Sequence, residues 1–560
     1  MGQSLLLGLL CALFPAARAS PPPPLAASLW PLPRRASFGA VAAPLSPSFS
    51  FSATAPAPAP ANGSEALLSL EAAFARSYGI LGFGGAAPGG GAPFLEVLPA
   101  SLDDTLQLGV DESYTLAFPS DGGNGTLACA TVYGCLRGLE TFSQLVARDV
   151  STGRRYVTGA PLAVADAPRF PHRGALVDTS RHFLPVATLR AVVDGLAFDK
   201  ANVLHWHISD AQAQPFASVA VPGLGLGAWA PAATYSAEDL RGVVAYAKYR
   251  GVRVVPEIDQ PAHCQSWGVG RPDIVIPCGY GSVLDPTTEA TYGVLAALLG
   301  ELAAIFFDDA LHVGFDEVDV SSASCYNTSA VRAWMPSQNI SAGDFKGVVR
   351  YHMGRVMAIV RALGKRPSAW QEAADHYGAA PGNPTWAPRE LDPDTALHMW
   401  LAPAWEWWNT SFAVAEPQAF RAVKSYDWYL SSPGLEWADA YASDPLTDAV
   451  CQYNGTVPTC TCTQKPDPAP YGCFNITEPS QVARVLGGEA SVWGEAADEA
   501  NVLQLLWPRA SAVAERLWSD PWVNDAAQAL PRLVDHRCRL VARGIPAAPV
   551  APGWCDGGRG

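Results

Sequence analysis

Charged side chains are scarce in this 560-residue chain. Asp, Glu, Lys and Arg together make up 16%, too few for a solvated or disordered polymer. Basic residues are the scarcer kind: 37 Lys and Arg stand against 52 Asp and Glu, for a net charge of -15. An acidic surface repels phosphate backbones and argues against nucleic acid as a partner. Long apolar runs are missing too. Past the first residues no stretch of 18 or more uncharged apolar residues occurs, so no membrane span is expected. What is plentiful is apolar content in total, 49% of residues, which at this length predicts more than one buried core.

The beginning of the chain reads as a signal peptide over residues 1–19, with an apolar stretch from Leu5 to Phe14 and a small-x-small site at Ala17-Arg18-Ala19. Residues 20–64, rich in Pro, Ala and Ser, read as a flexible leader. Residues 65–166 place strand-like runs before a helical run and predict a small α+β domain. From 167 to 530 the pattern becomes βα alternation. Apolar runs at 174–180, 202–209, 253–259, 311–317, 366–372, 396–403, 423–431 and 485–495 alternate with helical stripes such as Leu240, Val243, Val244 and Ala247. Eight such units predict a (β/α)8 barrel with its site at the strand C-terminal ends. Residues 434–480, holding Cys451, Cys460, Cys462 and Cys473 among prolines, interrupt the rhythm and read as a disulfide-stapled insertion after the seventh strand. Residues 531–560 form a C-terminal segment.

Seven Asn-x-Ser/Thr sequons begin at Asn62, Asn124, Asn327, Asn339, Asn409, Asn454 and Asn475, as in a secreted glycoprotein. Twelve cysteines include Cys11 in the signal peptide. The remaining odd number implies at least one free thiol in an oxidising compartment.

The predicted strand ends carry acids and aromatics: Asp178 and Arg181; His205, Trp206, His207 and Asp210; Glu257, Asp259 and His263; Asp316 and Glu317; Trp370 and Glu372; Trp400; Trp428 and Tyr429; Trp493 and Glu495. Barrel interiors favour Val, Ile and Leu, whereas aromatic walls with polar fixings suit a sugar ring. Conventional retaining glycosidases set two carboxylates about 5–5.5 Å apart on opposite sides of the bond. Sequence neighbours such as Asp316 and Glu317 serve one side more naturally, with one as acid/base and the other steering a substrate group. That favours a substrate that supplies its own nucleophile. Two other readings are open from the residues alone. His205-x-His207 with Asp210, His263 and Asp316 has the look of a metal-dependent hydrolase, although such a site needs neither the tryptophans nor adjacent acids. A non-catalytic sugar-binding protein needs no acid pair.

Several stretches together resemble the family 20 glycoside hydrolases, the β-N-acetylhexosaminidases. They are Arg173-Gly-Ala-Leu-Val-Asp-Thr-Ser-Arg181, Leu204-His-Trp-His207, Val255-Pro-Glu-Ile-Asp259, His312-Val-Gly-Phe-Asp-Glu-Val318, Trp370-Gln-Glu372, Gly487-Gly-Glu-Ala490, Trp493-Gly-Glu495 and Trp507-Pro-Arg-Ala-Ser511. The resemblance covers residues 65 to 560. It implies an N-terminal α+β domain packed on a catalytic barrel, no metal and no cofactor, and terminal β-linked GlcNAc or GalNAc as substrate. It also implies a homodimer in the secretory pathway, either lysosomal or vacuolar or extracellular. By the resemblance, Glu317 is the general acid/base, Asp316 orients the acetamido N–H, and Tyr429 hydrogen-bonds the acetamido oxygen. Asp210 and His263 form a relay behind Glu317. Trp370, Trp400 and Trp493 wall the pocket, and Arg173 and Glu495 grip the sugar hydroxyls. It further implies the disulfides Cys278–Cys325 and Cys538–Cys555, the latter closing the C-terminal segment; Cys129–Cys135 is expected from proximity in sequence. Glu317 needs a raised pKa, expected from partial burial and from Asp316. Two departures stand out. Phe315 replaces a second glycine before Asp316, where its bulk is expected to reshape the pocket floor or the pair's backbone. Cys264 follows His263, as the candidate free thiol and a site of alkylation. Ser431 and Ser432 carry no charge with which to read an anionic substrate, so neutral sugar ends are expected to be preferred.

Overall fold

The structure, a computed structural model, describes residues 28–56, 64–83, 94–278, 281–377, 388–401, 413–414, 420–447, 449–453, 458–462 and 475–555. The signal peptide and the sequons at Asn62, Asn409 and Asn454 lie outside them; Asn124, Asn327, Asn339 and Asn475 are exposed.

The expected leader is structured from residue 28. Arg35–Leu45 (β1) and Ser50–Ala53 (β2) are strands of the first domain, and Trp30 is fully buried. A low charge count hid them, since their pairing partners lie far along the chain. With Phe94–Pro99 (β3), Tyr114–Phe118 (β4), Gly125–Cys129 (β5), Val146–Arg148 (β6) and Arg155–Asp166 (β7) they make a seven-stranded sheet in the order β1-β7-β4-β5-β3-β2, with β6 beside β7. The helix Val132–Leu145, capped by Thr131, packs Val132, Leu139, Phe142 and Leu145 on it.

The eight predicted barrel strands are all present. His172–Asp178 (β8), Val203–Ser209 (β9), Arg253–Gln260 (β10), Ala310–Gly314 (β13), Arg366–Trp370 (β14), Ala396–Met399 (β15), Arg421–Lys424 (β16) and Val485–Val492 (β19) close in parallel register. Two hairpins lie outside the barrel: Val275–Cys278 (β11) with Gly281–Leu284 (β12), and, in the Cys-rich insertion, Ala449–Tyr453 (β17) with Pro458–Cys462 (β18). Side-chain contacts of the four insertion cysteines lie outside the described residues. The other three expected disulfides form: Cys129–Cys135, Cys278–Cys325 and Cys538–Cys555. Among the described residues, no helix is long and apolar enough to cross a membrane.

Alternation decides what fills the barrel. On β9, Leu204, Trp206 and Ile208 join the apolar layer under the helices, leaving His205 and His207 to the interior. On β10, Val254 and Ile258 join that layer, leaving Glu257 and Asp259. His312, Trp370, His398 and Glu489 are inward in the same way. The interior is therefore a buried ionic lattice where a barrel of this kind usually holds branched aliphatic residues.

Buried charge also joins the two domains at the strand N-terminal ends. Glu112 of the first domain accepts from Arg137 at 2.8 Å and Arg173 at 2.6 Å. Lys200 donates to Asp166 at 3.0 Å, and Trp518 Nε1 reaches the same oxygen at 3.0 Å. Burial works against the Glu112 carboxylate, but the two guanidiniums outweigh it and hold its pKa below the ordinary glutamate value. Glu112→Ala strands both arginines without their acid and is expected to cost about 3–5 kcal/mol, measured by denaturant unfolding. The pair's contribution is present above the unfolded glutamate pKa of about 4.3 and is lost only as pH falls through the lower folded value.

Candidate active site

The C-terminal ends of the barrel strands bring together Asp210, His263, Asp316 and Glu317. Asp210 follows β9, His263 follows β10, and the acid pair follows β13 directly. His263 Nδ1 lies 3.1 Å from Asp210 Oδ1, while its Nε2 lies 3.5 Å from Glu317 Oε2 and 3.7 Å from Asp316 Oδ2. The residues expected to form a relay are thus brought together, with a hydrogen bond between His263 and Asp210 and an ion-pair distance between His263 and Glu317. Its backbone is bent sharply: His263, Gly314, Phe315 and Glu317 all have positive φ, from 52° to 75°, a conformation costly for side chains with a Cβ. That turn sets Asp316 and Glu317 both beside His263 Nε2 at one strand end.

Phe315 does not enter the pocket. Its ring is fully buried and lies 6.2 Å from that of His352. Its N–H donates to Gln260 O, and its carbonyl accepts from Tyr377 Oη at 3.0 Å. The expected reshaping of the pocket floor by its bulk does not occur, and its own backbone has φ 75°. Gly314, by contrast, is required: a Cβ there would stand 1.7 Å from Asp259 Oδ1. Asp259 is buried against Asp316, and neither of its carboxyl oxygens meets a hydrogen-bond donor among the described residues. Burial first, and Asp316 second, push its pKa well up. Burial raises Asp316 as well.

Glu317 departs from expectation. Its side chain is 59% exposed, and the His263 contact, the largest influence, lowers its pKa despite some burial. Burial disfavours charge on His263, yet Asp259, Asp316 and its contacts with Asp210 and Glu317 hold it well above the ordinary histidine value. In the free site the proton of the pair therefore rests on His263.

An aromatic wall faces the acids. Trp400 and Tyr429 stack 6.0 Å apart at 10°, and Trp493 lies 6.1 Å from Tyr429 and 5.7 Å from Trp370. Trp370 Nε1 donates to Glu257 at 2.7 Å, and Trp400 Nε1 to Glu372 at 2.8 Å. Glu495 is exposed just after β19.

Arg173 is a correction. It sits at the opposite end of β8, five residues or about 17 Å of strand from Asp178, fully buried under the first domain against Glu112. It cannot touch a sugar at the acids. The arginine at the mouth is Arg181, 3.0 Å from Asp178 and 2.8 Å from Asp210, with its guanidinium 5.2 Å from the Trp493 ring. Burial disfavours its charge, but Asp178, Asp210 and Glu495 keep it firmly protonated. Strand polarity alone separates the two arginines, because only Arg181 follows the C-terminal end.

Residues 170–521 match the family model for the glycosyl hydrolase family 20 catalytic domain, and residues 94–145 match a beta-acetyl hexosaminidase like domain. The chain is 35% identical over 548 residues to Beta-hexosaminidase 1 of Arabidopsis thaliana, covering 93% of this chain and 91% of that protein. It is 36% identical over 470 residues to the human Beta-hexosaminidase subunit beta, covering 82% and 76%. In fold it is similar to a chitobiase from Flavobacterium johnsoniae, with TM-score 0.74 and 24% identity over 92% of this chain and 73% of that one.

Cys264 is free and buried, with its thiol on the Pro261 carbonyl at 3.4 Å, and burial pushes its pKa up. The alkylation expected from sequence proximity is thereby blocked. Iodoacetamide should label Cys264 at least about a hundredfold more slowly in the native protein than after unfolding, as followed by mass spectrometry of its peptide.

Proposed function

The chain belongs to glycosyl hydrolase family 20, and on that premise we propose that it removes terminal β-linked N-acetylglucosamine and N-acetylgalactosamine by a retaining, substrate-assisted reaction. The observation that carries this reading is the placement of Asp316 and Glu317 on one strand end, facing an aromatic wall, with His263 behind both. No second carboxylate is needed as a nucleophile if the sugar's own acetamido oxygen attacks the anomeric carbon.

The steps follow from the geometry. A sugar seated against Trp370, Trp400 and Trp493 displaces water from Glu317. Loss of solvation raises the proton affinity of the carboxylate, and His263 yields its Nε2 proton to it while keeping Nδ1–H toward Asp210. Glu317 then donates that proton to the leaving oxygen as the C1–O bond breaks and the acetamido oxygen bonds to C1. Asp316, anionic in this step, accepts the acetamido N–H and balances the positive charge of the bicyclic oxazolinium. Tyr429 donates to the acetamido oxygen and aims it. Water next attacks C1 from the side the leaving group vacated, Glu317 takes its proton, and the acetamide is restored with the original configuration. Arg181 and Glu495 are placed to fix sugar hydroxyls.

Three disulfides and exposed sequons support a place in the secretory pathway, lysosomal or extracellular. The family resemblance supports a homodimer.

Glu317→Gln should lower kcat by about 10²–10⁴, and Asp316→Asn by about 10²–10³, on a p-nitrophenyl β-GlcNAc substrate, with azide restoring neither. A substrate with hydroxyl in place of the N-acetyl group should barely react; equal turnover of the plain glucoside would exclude the proposed nucleophile. With Ser431 and Ser432 beside the wall, 6-sulfated aryl β-GlcNAc should be cleaved at least about tenfold less efficiently than the neutral substrate, compared as kcat/KM.

A further inference from the structure

The relay behind Glu317 does not stop at Asp210. Asp210 Oδ2 lies 3.0 Å from His207 Nε2, and His207 Nδ1 lies 2.6 Å from Glu257 Oε2. The same Glu257 oxygen is 3.1 Å from His205 Nε2, and His205 Nδ1 is 3.0 Å from Glu489 Oε1. From the barrel interior to its mouth the sequence of groups is Glu489, His205, Glu257, His207, Asp210, His263, Glu317. Acids and imidazoles alternate throughout, and every member but the last two is essentially inaccessible to solvent.

A neutral imidazole has one N–H and one lone pair, so it can satisfy one carboxylate oxygen and must repel a second. His207 has a carboxylate oxygen at each ring nitrogen. Both nitrogens must donate, which makes the ring an imidazolium. His205 is hydrogen-bonded at Nδ1 only, its Nε2 standing 3.1 Å from Glu257 outside hydrogen-bond geometry, and the two acids together outweigh burial and raise its pKa to about 9. The side branches agree. Glu257 also accepts from Trp370 and has His312 Nδ1 at 3.0 Å, and Glu489 has His172 at 3.3 Å and His398 at 2.9 Å. Burial leaves His172 and His312 neutral, lowered to about 4 and about 3, and His312 Nδ1 accepts from the Gly314 N–H at 3.3 Å, so neither adds a charge to the lattice. Two anions, Glu257 and Glu489, are then balanced by two cations, His205 and His207.

We propose that His207 is a permanently charged positioning residue, the cationic link through which the ionic interior of the barrel sets the protonation of the Asp210–His263–Glu317 relay. The groups facing it are Glu257 and Asp210 in contact, Asp178 of β8 through its field, and the edge of Trp493 at 5.0 Å. Arg181 is the other cation on Asp210 Oδ2. Without the His207 charge, Asp210 is less compensated, and its field increases the proton affinity of His263 and Glu317 together. This inference rests on the glycosidase reading for its kinetic arm only.

Two measurements test it on the full chain. In histidine-labelled wild-type protein, nitrogen NMR should show His207, assigned through its contact with the Trp493 ring, as an imidazolium from about pH 5 to about pH 8. A neutral ring at neutral pH overturns the proposal, whatever the enzyme turns over. In His207→Asn, both limbs of the kcat profile should move to higher pH by about 0.5–1 unit. Limbs that stay in place while kcat and Tm fall would mean the ring only fills space, and would overturn it too.

Discussion

Glu257 is the group on which the interior depends. A carboxylate at the centre of a closed barrel is costly unless every lone pair finds a donor, and here His205, His207, His312 and Trp370 all reach it. Each of those contacts fixes something else. Trp370 becomes a rigid pocket wall, His207 holds Asp210, and Asp210 holds His263. Positions at the mouth are therefore set from below, by side chains that never meet substrate. That arrangement explains how a loop with positive φ at Gly314, Phe315 and Glu317 can still present two acids in defined places: the strain is borne by a core with little freedom to relax.

The acid pair and its surroundings divide labour by environment. Asp316 is enclosed, with Asp259 buried behind it, whereas Glu317 stands half in solvent beside His263. A substrate changes these two groups unequally, because only Glu317 has much water to lose. The pocket thus needs no large movement to convert a stored proton on a histidine into an acid at the glycosidic oxygen.

Much of this was legible in the residues. Eight apolar runs predicted eight barrel strands, since the strand period is short and local. Adjacent acids at Asp316 and Glu317 pointed to one-sided chemistry, and Asp210 and His263, paired by the family resemblance, do stand side by side. Other features depend on distant partners and were not readable. Arg173 and Arg181 lie in one motif eight residues apart, and only the direction of β8 shows which faces the sugar. The strands at 35–45 and 50–53 look like tail because their stabilising neighbours come from much later in sequence. The lowered proton affinity of Glu317 and the inertness of Cys264 follow from exposure, which a sequence does not state. The acid at each nitrogen of His207 is likewise something that only three dimensions reveal.

Trp30 gives a last consequence. Its indole donates to the Ser511 carbonyl at 3.0 Å and lies against the rings of Tyr441 and His536, with Arg532 over its face. The receptor for one of the earliest residues is thus assembled from some of the latest. During synthesis this tryptophan leaves the ribosome long before its socket exists, and must wait unburied while roughly 500 further residues emerge, a delay of about half a minute or more at ordinary elongation rates. Burial of this tryptophan is then a closing of an early segment upon late helices.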